Sequence, residues 1–273
     1  MIEQDYLHLL ERCICAPLRD TRNAKVHSLF AASLSHNLQD SFPLLTTKRV
    51  FFRGVIEELA WFLRGSTNVD ELKERGVHIW DKNAEAYDPI EKKDAGGIYG
   101  FLWRHFGAKY KDCDTAYEGI DQVANLLRSL REDPHSRRHI INGWHPGTPA
   151  SLPPCHVLYQ FYVEDGRLSV QMYQRSADLF LGVPFNIAST ALLTHLVAHE
   201  CDLDVGMMHM RFGDCHVYES HTNAVCEQLG RIPSQMPQIS IVRDKDDLWG
   251  VTPEGIELLD YAPEPSIRAE MIA

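Results

Sequence analysis

Hydrophobic residues follow two periods along this chain, one typical of helices and one typical of strands. Apolar side chains return every three or four positions in five stretches, which are 3–16, 51–64, 119–131, 185–200 and 216–229. They alternate with polar side chains in four extended runs, which are 156–163, 167–174, 205–212 and 238–242. Asp165-Gly166, between the first two runs, predicts a tight hairpin turn.

Long helices mixed with antiparallel strands indicate an α+β fold, with a sheet covered on one face by helices. No linker rich in Pro, Gly or Ser divides the 273 residues, so we expect residues 1–273 to form one domain. The hydrophobic content of 44% is enough for a packed core. The longest apolar stretch, 187–197, is interrupted by polar residues and too short for a bilayer, and the acidic first residues do not resemble a signal peptide. We therefore expect no membrane association.

Charge and cysteine usage exclude several further classes of protein. The 27 basic and 38 acidic residues give a net charge of -11, which argues against a nucleic-acid-binding surface. Any phosphate must then be bound by a few placed arginines. Seven cysteines at irregular spacings favour a reducing, cytoplasmic location over a disulfide framework. Cys13 and Cys15 form a C-x-C without a second pair, a weak metal signal, and we expect no metal.

The segment 153–186 brings together groups that could act on a small anionic substrate. Cys155 follows two prolines, and Arg175 follows later in the same segment. A neighbouring guanidinium lowers the pKa of a thiol from about 8.5, and its fixed donors suit a phosphate. The alternative for Cys155 is simple packing as a buried thiol. Asn186 adds a carboxamide, for which an ordinary helix cap is the alternative.

Motifs along nearly the whole chain resemble those of thymidylate synthases, folate-dependent enzymes that place a one-carbon unit on C5 of a pyrimidine nucleotide. The motifs are FPLLTTKR at 42–49, ELAWFLRGSTN at 58–68, IWD at 79–81, WRHFG at 103–107, SRR at 136–138, PPCH at 153–156, YQRSAD at 173–178, GVPFN at 182–186, GDCHVY at 213–218 and EMIA at 270–273. The resemblance implies a predominantly antiparallel mixed sheet whose uncovered face packs against the second subunit of a homodimer. It also implies 5,10-methylenetetrahydrofolate as the one-carbon donor.

The resemblance assigns the central chemistry to Cys155 and Asn186. Cys155 is implied to add to C6 of the pyrimidine, which makes C5 nucleophilic. Asn186 is implied to donate to O4, where negative charge develops, and to accept from N3–H. An asparagine at this position favours uracil, whereas an aspartate would favour cytosine.

Proton transfer near C5 is implied for three further residues. Glu58 lies in an apolar helix, where burial raises the pKa of a carboxyl and suits it to proton transfer through water. An ion pair with Arg53 or Arg64 is the alternative for Glu58. Tyr99 and His156 resemble the other members of this network.

Substrate contacts complete the implied site. The phosphate would be bound by Arg22, Arg175 and Ser176, and by Arg137 and Arg138 reaching across the dimer, although this adjacent pair could also be a solvated surface pair. His216 and Tyr218 would lie toward the ribose 3′-hydroxyl. The folate residues would be Trp80 stacking near the pterin, Asp178 accepting from its ring nitrogens, Gly182 beside them, and Ala273, whose carboxylate closes the site as a lid.

Five departures from the family pattern leave the reaction open. The phosphate loop at 21–25 reads TRNAK and lacks glycine, so we expect a stiffer loop. Single residues replace the usual ones at Leu102, His145, Thr190 and Ser220. A thymidylate synthase, converting dUMP to dTMP, is the first interpretation. A nucleotide hydroxymethylase acting on dUMP, CMP or dCMP, with water in place of hydride, is the second. An inactive, nucleotide-binding homologue is a third, against which the intact cysteine and the acidic charge both argue.

Overall fold

The computed structural model describes residues 2–150, 152–245 and 247–272. The helices are α1 (Ile2–Ile14), α2 (Phe52–Arg64), α3 (Asp70–Lys73), α4 (Asp81–Tyr87), α5 (Tyr99–Arg104), α6 (Gln122–Glu132), α7 (Gly182–Glu200) and α8 (Thr222–Leu229). The strands are β1 (Leu18–Asp20), β2 (Lys25–Asn37), β3 (Ile140–Asn142), β4 (His156–Glu164), β5 (Arg167–Asp178), β6 (Asp204–Tyr218), β7 (Gln238–Ile241) and β8 (Ile256–Leu259).

Six strands form one mixed sheet in the order β1-β2-β6-β5-β4-β3, and β7 pairs with β8 separately. Neighbouring strands run antiparallel except β5 and β6, which are parallel. Parallel neighbours need a crossover, and α7 supplies it. The predicted α+β class, with a mostly antiparallel sheet, is confirmed.

One face of the sheet is covered by helices. Helix α7 is apolar around its whole circumference because it packs between the sheet and α2. Helix α1 covers the end of the sheet formed by β2 and β6. A single apolar core extends from Ile2 to Ile256, and a small second cluster surrounds Phe101, Leu102 and Tyr110.

The opposite face of the sheet carries exposed apolar side chains. Phe30 on β2 is 81% exposed, and Tyr162, Tyr173 and Met207 on β4, β5 and β6 are also exposed. Side chains alternate between faces along a strand, so these residues lie opposite the helix-covered core. Across the described ranges, no helix is both long enough and apolar enough to cross a membrane.

Most predicted elements are present, with shifted ends. The helices at 3–16, 51–64, 119–131 and 185–200 and all four strands are confirmed, and the hairpin turn has positive φ at Asp165 and Gly166. The helix at 216–229 is wrong at its start, because 216–218 belong to β6 and the α-helix begins at Thr222. Strands β1, β2, β3 and β8 and helices α3 to α5 were not predicted.

Candidate active site

Three strands end or begin at one edge of the sheet, and several of the predicted site residues lie there. Strands β5 and β6 are parallel, and their register places Asp178 opposite His216. Strand β4 runs antiparallel to β5, so Cys155, just before β4, lies at the same edge. Helix α7 begins at Gly182, directly after β5. The topology therefore assembles a site from residues far apart in the sequence.

Hydrogen bonds fix the segment that carries Cys155. The backbone N–H of Cys155 donates to the Tyr99 hydroxyl oxygen at 2.8 Å. The guanidinium of Arg175 donates through Nε to the carbonyl of Pro154 at 3.0 Å and through Nη2 to that of Pro153 at 2.6 Å. Arg175 therefore holds the two-proline turn in place as well as providing positive charge beside the thiol.

At Cys155, burial affects the pKa of the thiol more than the neighbouring positive charge does. Burial raises the pKa of the Cys155 thiol, while Arg175 and the Tyr99 hydroxyl lower it. The lowering effect predicted for Arg175 is present, but the net pKa lies above the ordinary value. Desolvation disfavours the charged thiolate more than one guanidinium favours it.

Asn186 lies within α7 and does not cap it, since the helix begins at Gly182 and its cap position is Leu181. Gln174 Nε2 donates to Asn186 Oδ1 at 3.0 Å and to the Ser176 carbonyl at 2.9 Å. This bond identifies Oδ1 as the acceptor end of the Asn186 carboxamide and leaves its NH₂ group to face elsewhere. The sequence analysis did not assign Gln174, although a glutamine at an inward position of a strand was the available signal.

Glu58 has a raised pKa, as the sequence predicted. Burial raises the pKa of the Glu58 carboxyl to about 7, and a hydrogen bond from Trp80 Nε1 at 2.7 Å partly opposes it. The alternative of an ion pair is not observed, because Arg53 pairs with Glu57 at 3.7 Å and Arg64 pairs elsewhere. The same bond ties the Trp80 indole to the Glu58 carboxyl.

Tyr99 and His156 lie between Glu58 and Cys155. The Tyr99 ring stacks on Phe62, with ring centroids 4.7 Å apart, and meets His156 edge-on at 5.3 Å. Burial lowers the pKa of His156 to about 4, so its imidazole is neutral at neutral pH. The Tyr159 hydroxyl, which the sequence analysis did not assign, lies 2.8 Å from His156 Nδ1.

His216 and Tyr218 end β6 at the same edge. His216 Nδ1 lies 3.0 Å from Asp214 Oδ1, and the two rings of His216 and Tyr218 meet edge-on at 5.2 Å. Burial raises the pKa of Tyr218, Asp178 and Cys155 raise it further, and Arg22 lowers it. Those effects place Arg22 within electrostatic range of the site.

The loop that carries Arg22 is the turn of the β1–β2 hairpin. The Thr21 hydroxyl donates to the carbonyl of Ala24 at 2.6 Å, and the Thr21 N–H reaches the same carbonyl at 3.1 Å. The segment therefore forms a closed turn without glycine. Arg19 on β1 forms an ion pair with Asp214.

Residues at the start of α7 fit a reduced folate. Phe180 and Leu181 both donate their N–H groups to Asp178 Oδ1, at 2.9 and 3.1 Å, so Oδ2 can accept from a ligand. A Cβ built on Gly182 would lie 3.6 Å from Asp178 and 3.7 Å from Asn186, so the missing side chain keeps the space between them open.

Trp80 and Ala273 are the other two residues that the resemblance assigns to the folate. The Trp80 ring packs 5.8 Å from that of Tyr99. Ala273 lies outside the described residues, but the tail before it is held where His221 Nε2 contacts the Glu270 carbonyl at 2.7 Å and Lys82 Nζ donates to the Met271 carbonyl at 3.3 Å.

Arg137 and Arg138 are exposed and lie far from Cys155 of their own chain. They precede β3, whose antiparallel register with β4 places Arg138 beside Tyr162. Tyr162 is seven residues from Cys155 along an extended chain, which is about 23 Å at the rise of a β-strand. That separation exceeds the reach of an arginine side chain.

Three of the substituted positions have structural partners of their own. Leu102 is buried in the small second cluster, and His145 Nδ1 lies 2.8 Å from the Thr148 hydroxyl. Ser220 lines a surface groove beside the C-terminal tail. Thr190 is buried in α7, and its hydroxyl has no hydrogen-bond partner among the described residues.

A family model described as Thymidylate synthase matches residues 4–273. The Thymidylate synthase of Human herpesvirus 8 type P (isolate GK18) is 44% identical over 98% of this chain and 84% of the relative. The Thymidylate synthase of Varicella-zoster virus (strain Dumas) is 46% identical over 93% of this chain and 88% of the relative. The chain belongs to the thymidylate synthase family.

A second group of relatives is longer. The Bifunctional dihydrofolate reductase-thymidylate synthase of Zea mays is 45% identical over 98% of this chain, which spans 54% of that relative. The similarity therefore covers nearly all of this chain but only about half of the bifunctional protein.

Proposed function

We propose that the protein is a thymidylate synthase, which converts dUMP to dTMP and uses 5,10-methylenetetrahydrofolate as one-carbon donor. The observation that carries the proposal is the meeting of Cys155, Arg175 and Asn186 at one edge of the sheet. Relatives named thymidylate synthase at 44% and 46% identity favour the methyl product over the hydroxymethyl product.

In this proposal Cys155 attacks C6 of uracil as the thiolate. Burial disfavours that thiolate, while Arg175 and Tyr99 favour it. Ionisation of the thiol therefore depends on Arg175 and the Tyr99 hydroxyl, which stabilise the thiolate against its desolvation. The bond between Cys155 N–H and Tyr99 keeps the backbone of the nucleophile fixed during the attack.

Asn186 stabilises the charge that the attack places on O4. Gln174 holds Asn186 Oδ1, so the NH₂ group of Asn186 is directed at the base as a donor. A preorganised donor at a developing oxyanion needs no reorganisation during the reaction. Arg175, Ser176 and Arg22 would bind the phosphate, and His216 and Tyr218 the ribose.

Glu58 is suited to proton exchange because its pKa of about 7 lets both protonation states be populated at neutral pH. When bound, the folate supplies the one-carbon unit and then a hydride. Trp80 and Asp178 would orient it, and Trp80 and the C-terminal tail, including Ala273, would exclude water from the reacting carbon.

We also propose a homodimer in which Arg137 and Arg138 serve the partner's site. The exposed apolar side chains on the outer sheet face support it, among them Phe30 and Tyr162. The distance between Arg138 and Cys155 along β4 also supports it, since the pair cannot serve its own site. Light scattering of Phe30→Lys tests the interface: a variant that remains dimeric like the wild type would contradict this face.

Residues 1–273 are further proposed to form one cytoplasmic catalytic domain. A core shared from Ile2 to Ile256 supports one domain, and a single calorimetric transition is expected. All seven cysteines are free thiols, which supports a reducing compartment. Thiol titration that finds fewer than seven in the purified protein would contradict that location.

The product of dUMP with 5,10-methylenetetrahydrofolate tests the function. We expect dTMP by mass spectrometry and the near-ultraviolet absorbance rise of dihydrofolate. The Cys155→Ser variant, with no base beside its hydroxyl, is expected to lose most turnover while it still binds dUMP. A product heavier by one oxygen, with no absorbance rise, would establish a hydroxymethylase instead. No product from any pyrimidine nucleotide would indicate an inactive homologue.

A further inference from the structure

Tyr159 and His156 lie on the same face of β4, although they are three residues apart. In a regular strand, residues three apart point to opposite faces. The pairing of β4 with β5 shifts register between His156 and Leu158, and such a bulge re-aims the side chains around it. Both side chains are therefore directed into the core, with His156 5% and Tyr159 2% exposed.

The two buried side chains share one hydrogen bond. The Tyr159 hydroxyl lies 2.8 Å from His156 Nδ1, and the Tyr159 ring is held edge-on against Trp103 at 5.5 Å. Burial lowers the pKa of His156 to about 4 and raises that of Tyr159 above its usual range, so both groups are neutral. A neutral imidazole carries one N–H, and its position depends on the neighbours of the two ring nitrogens.

Asn186 indicates which nitrogen carries that proton in this structure. Gln174, which donates to Asn186 Oδ1, lies opposite His156 in the pairing of β4 with β5, and a hydrogen bond with Asn186 raises the pKa of the imidazole, as an acceptor oxygen does. Gln174 identifies the acceptor oxygen as Oδ1. Since Nδ1 faces Tyr159, the nitrogen that faces Asn186 is Nε2, and it carries the proton. Tyr159 must then donate its O–H to the bare Nδ1.

Thr190 lies beside Tyr159, at the opposite end of the hydrogen-bonded series from Asn186. Its hydroxyl has no hydrogen-bond partner at the described positions, yet it lies close enough to Tyr159 to lower the pKa of the phenol. A donor on that side leaves the Tyr159 proton to point toward His156. The substitution at position 190 therefore lies beside the same phenol.

We propose that Tyr159 is a positioning residue that selects uracil, by holding His156 in the Nε2–H tautomer and so keeping the NH₂ group of Asn186 toward O4. This inference rests on the proposed function for the identity of the base. With Nδ1 protonated instead, the Nε2 lone pair would face Asn186 Oδ1, and the carboxamide would turn over. The reversed carboxamide presents an acceptor to position 4 and a donor to N3, which complements cytosine.

Tyr159→Phe removes the hydroxyl and keeps the ring. We expect the ratio of the dCMP to the dUMP dissociation constant, measured by calorimetry, to fall by roughly tenfold, because one hydrogen bond no longer fixes the carboxamide. In protein labelled with ¹⁵N-histidine, the ring nitrogens of His156 should change from the pure Nε2–H pattern to a mixture. Tyr110→Phe is the matched control, since it removes another buried hydroxyl, bonded to Asp94 at 2.5 Å and Thr67 at 2.8 Å in the second cluster.

Each outcome decides the proposal separately from turnover. A His156 tautomer that stays Nε2–H in Tyr159→Phe overturns it, as does an unchanged ratio of dissociation constants. A fall in the ratio that Tyr110→Phe reproduces equally also overturns it, because the effect would then be one of general stability. A wild type that binds dUMP but makes no dTMP contradicts the proposed function and leaves the tautomer measurement valid.

Discussion

Two opposing effects act on the thiol of Cys155, and removing one of them should be measurable. Arg175 lowers the pKa that burial raises. We expect Arg175→Gln to raise the Cys155 pKa further and to slow alkylation of Cys155 at neutral pH by about tenfold. The rate of alkylation against pH, located by mass spectrometry, gives the pKa.

Arg167→Gln provides the control at the other end of β5, where the arginine is exposed and distant from Cys155. Its alkylation profile should match the wild type. A profile for Arg175→Gln that also matches the wild type would show that Arg175 exerts no field on the thiol.

Glu58 links the chemistry of the site to the stability of the fold. Its folded pKa of about 7 lies above the ordinary 4.5, so the folded state holds the proton more tightly than the unfolded state. The free energy of unfolding should therefore fall as pH rises from 4.5 to 7. Glu58→Gln removes this titration and keeps an acceptor for Trp80. Relative to the wild type, it should gain up to about 3 kcal/mol across that range in urea titrations.

The same substitution at the adjacent Glu57 should lower the stability of the protein instead of raising it. Glu57 is 2% exposed and pairs with Arg75 at 3.1 Å. Glu57→Gln should destabilise the protein by about 1 kcal/mol, because ion pairs with the two exposed arginines Arg53 and Arg75 are lost. Equal pH dependence of stability in Glu58→Gln and the wild type would mean that Glu58 titrates normally.

For single residues, the sequence predicted those properties that depend on residues nearby in the chain. Glu58 lies among apolar residues of one helix, so its raised pKa followed from local sequence. The roles of Gln174 and Tyr159 depend on a bulge and on a strand-to-helix contact, which periodicity does not reveal. The net pKa of Cys155 depended on the degree of burial, which a motif does not give.

Among the elements, β2 combines length with a local strain. Ala31 has φ of 62°, and it interrupts the pairing with β6 together with Gly213 opposite it, while the register on both sides stays the same. A positive φ costs a residue with a Cβ roughly 1 kcal/mol relative to glycine. We expect Ala31→Gly to raise the free energy of unfolding by about 1 kcal/mol, measured in denaturant.

Ala32→Gly is the comparison at the next position, which pairs regularly with β6. It should lower stability by about 0.5–1 kcal/mol, since glycine loses more backbone entropy in a strand. Destabilisation by both substitutions would mean that Ala31 is unstrained.

The sequence of β2 does not alternate regularly, which explains why this strand was not predicted. Alternation of apolar and polar residues identifies a strand, and residues 29–32 are four apolar residues in succession. The exposed Phe30 and the polar residues around it further obscure the buried face. At 216–218 the error has another source, because the apolar spacing continues from the end of β6 into α8 without interruption.

At the scale of the whole molecule, the proposed dimer predicts that two inactive variants regain activity when they are mixed. Cys155→Ser lacks the nucleophile, and Arg138→Gln lacks a residue that serves the partner's site. In a hybrid dimer, one site combines an intact Cys155 with an intact Arg138. After mixing and subunit exchange, about a quarter of the sites should regain activity, measured as dTMP formation.

Arg175→Gln mixed with Cys155→Ser is the control, because both residues belong to the same site of one chain. Neither site of that hybrid is complete, so no activity should return. Recovery in the control, or none in the Arg138→Gln mixture, would contradict the assignment of Arg138 to the partner's site. The hydrophobic periodicity of the sequence could not predict the dimer, since it gives neither the order of the strands in the sheet nor the partner of an exposed face.

The parallel pairing of β5 and β6 also affects how long the protein persists. The two strands come together only after α7 has crossed between them, a slow and nonlocal step in folding. A nucleotide held by Arg175 on β5, Asn186 on α7 and His216 on β6 would clamp all three pieces of this unit. Opening of the unit then requires the ligand to leave first, so resistance to proteases in the cell should follow the supply of substrate.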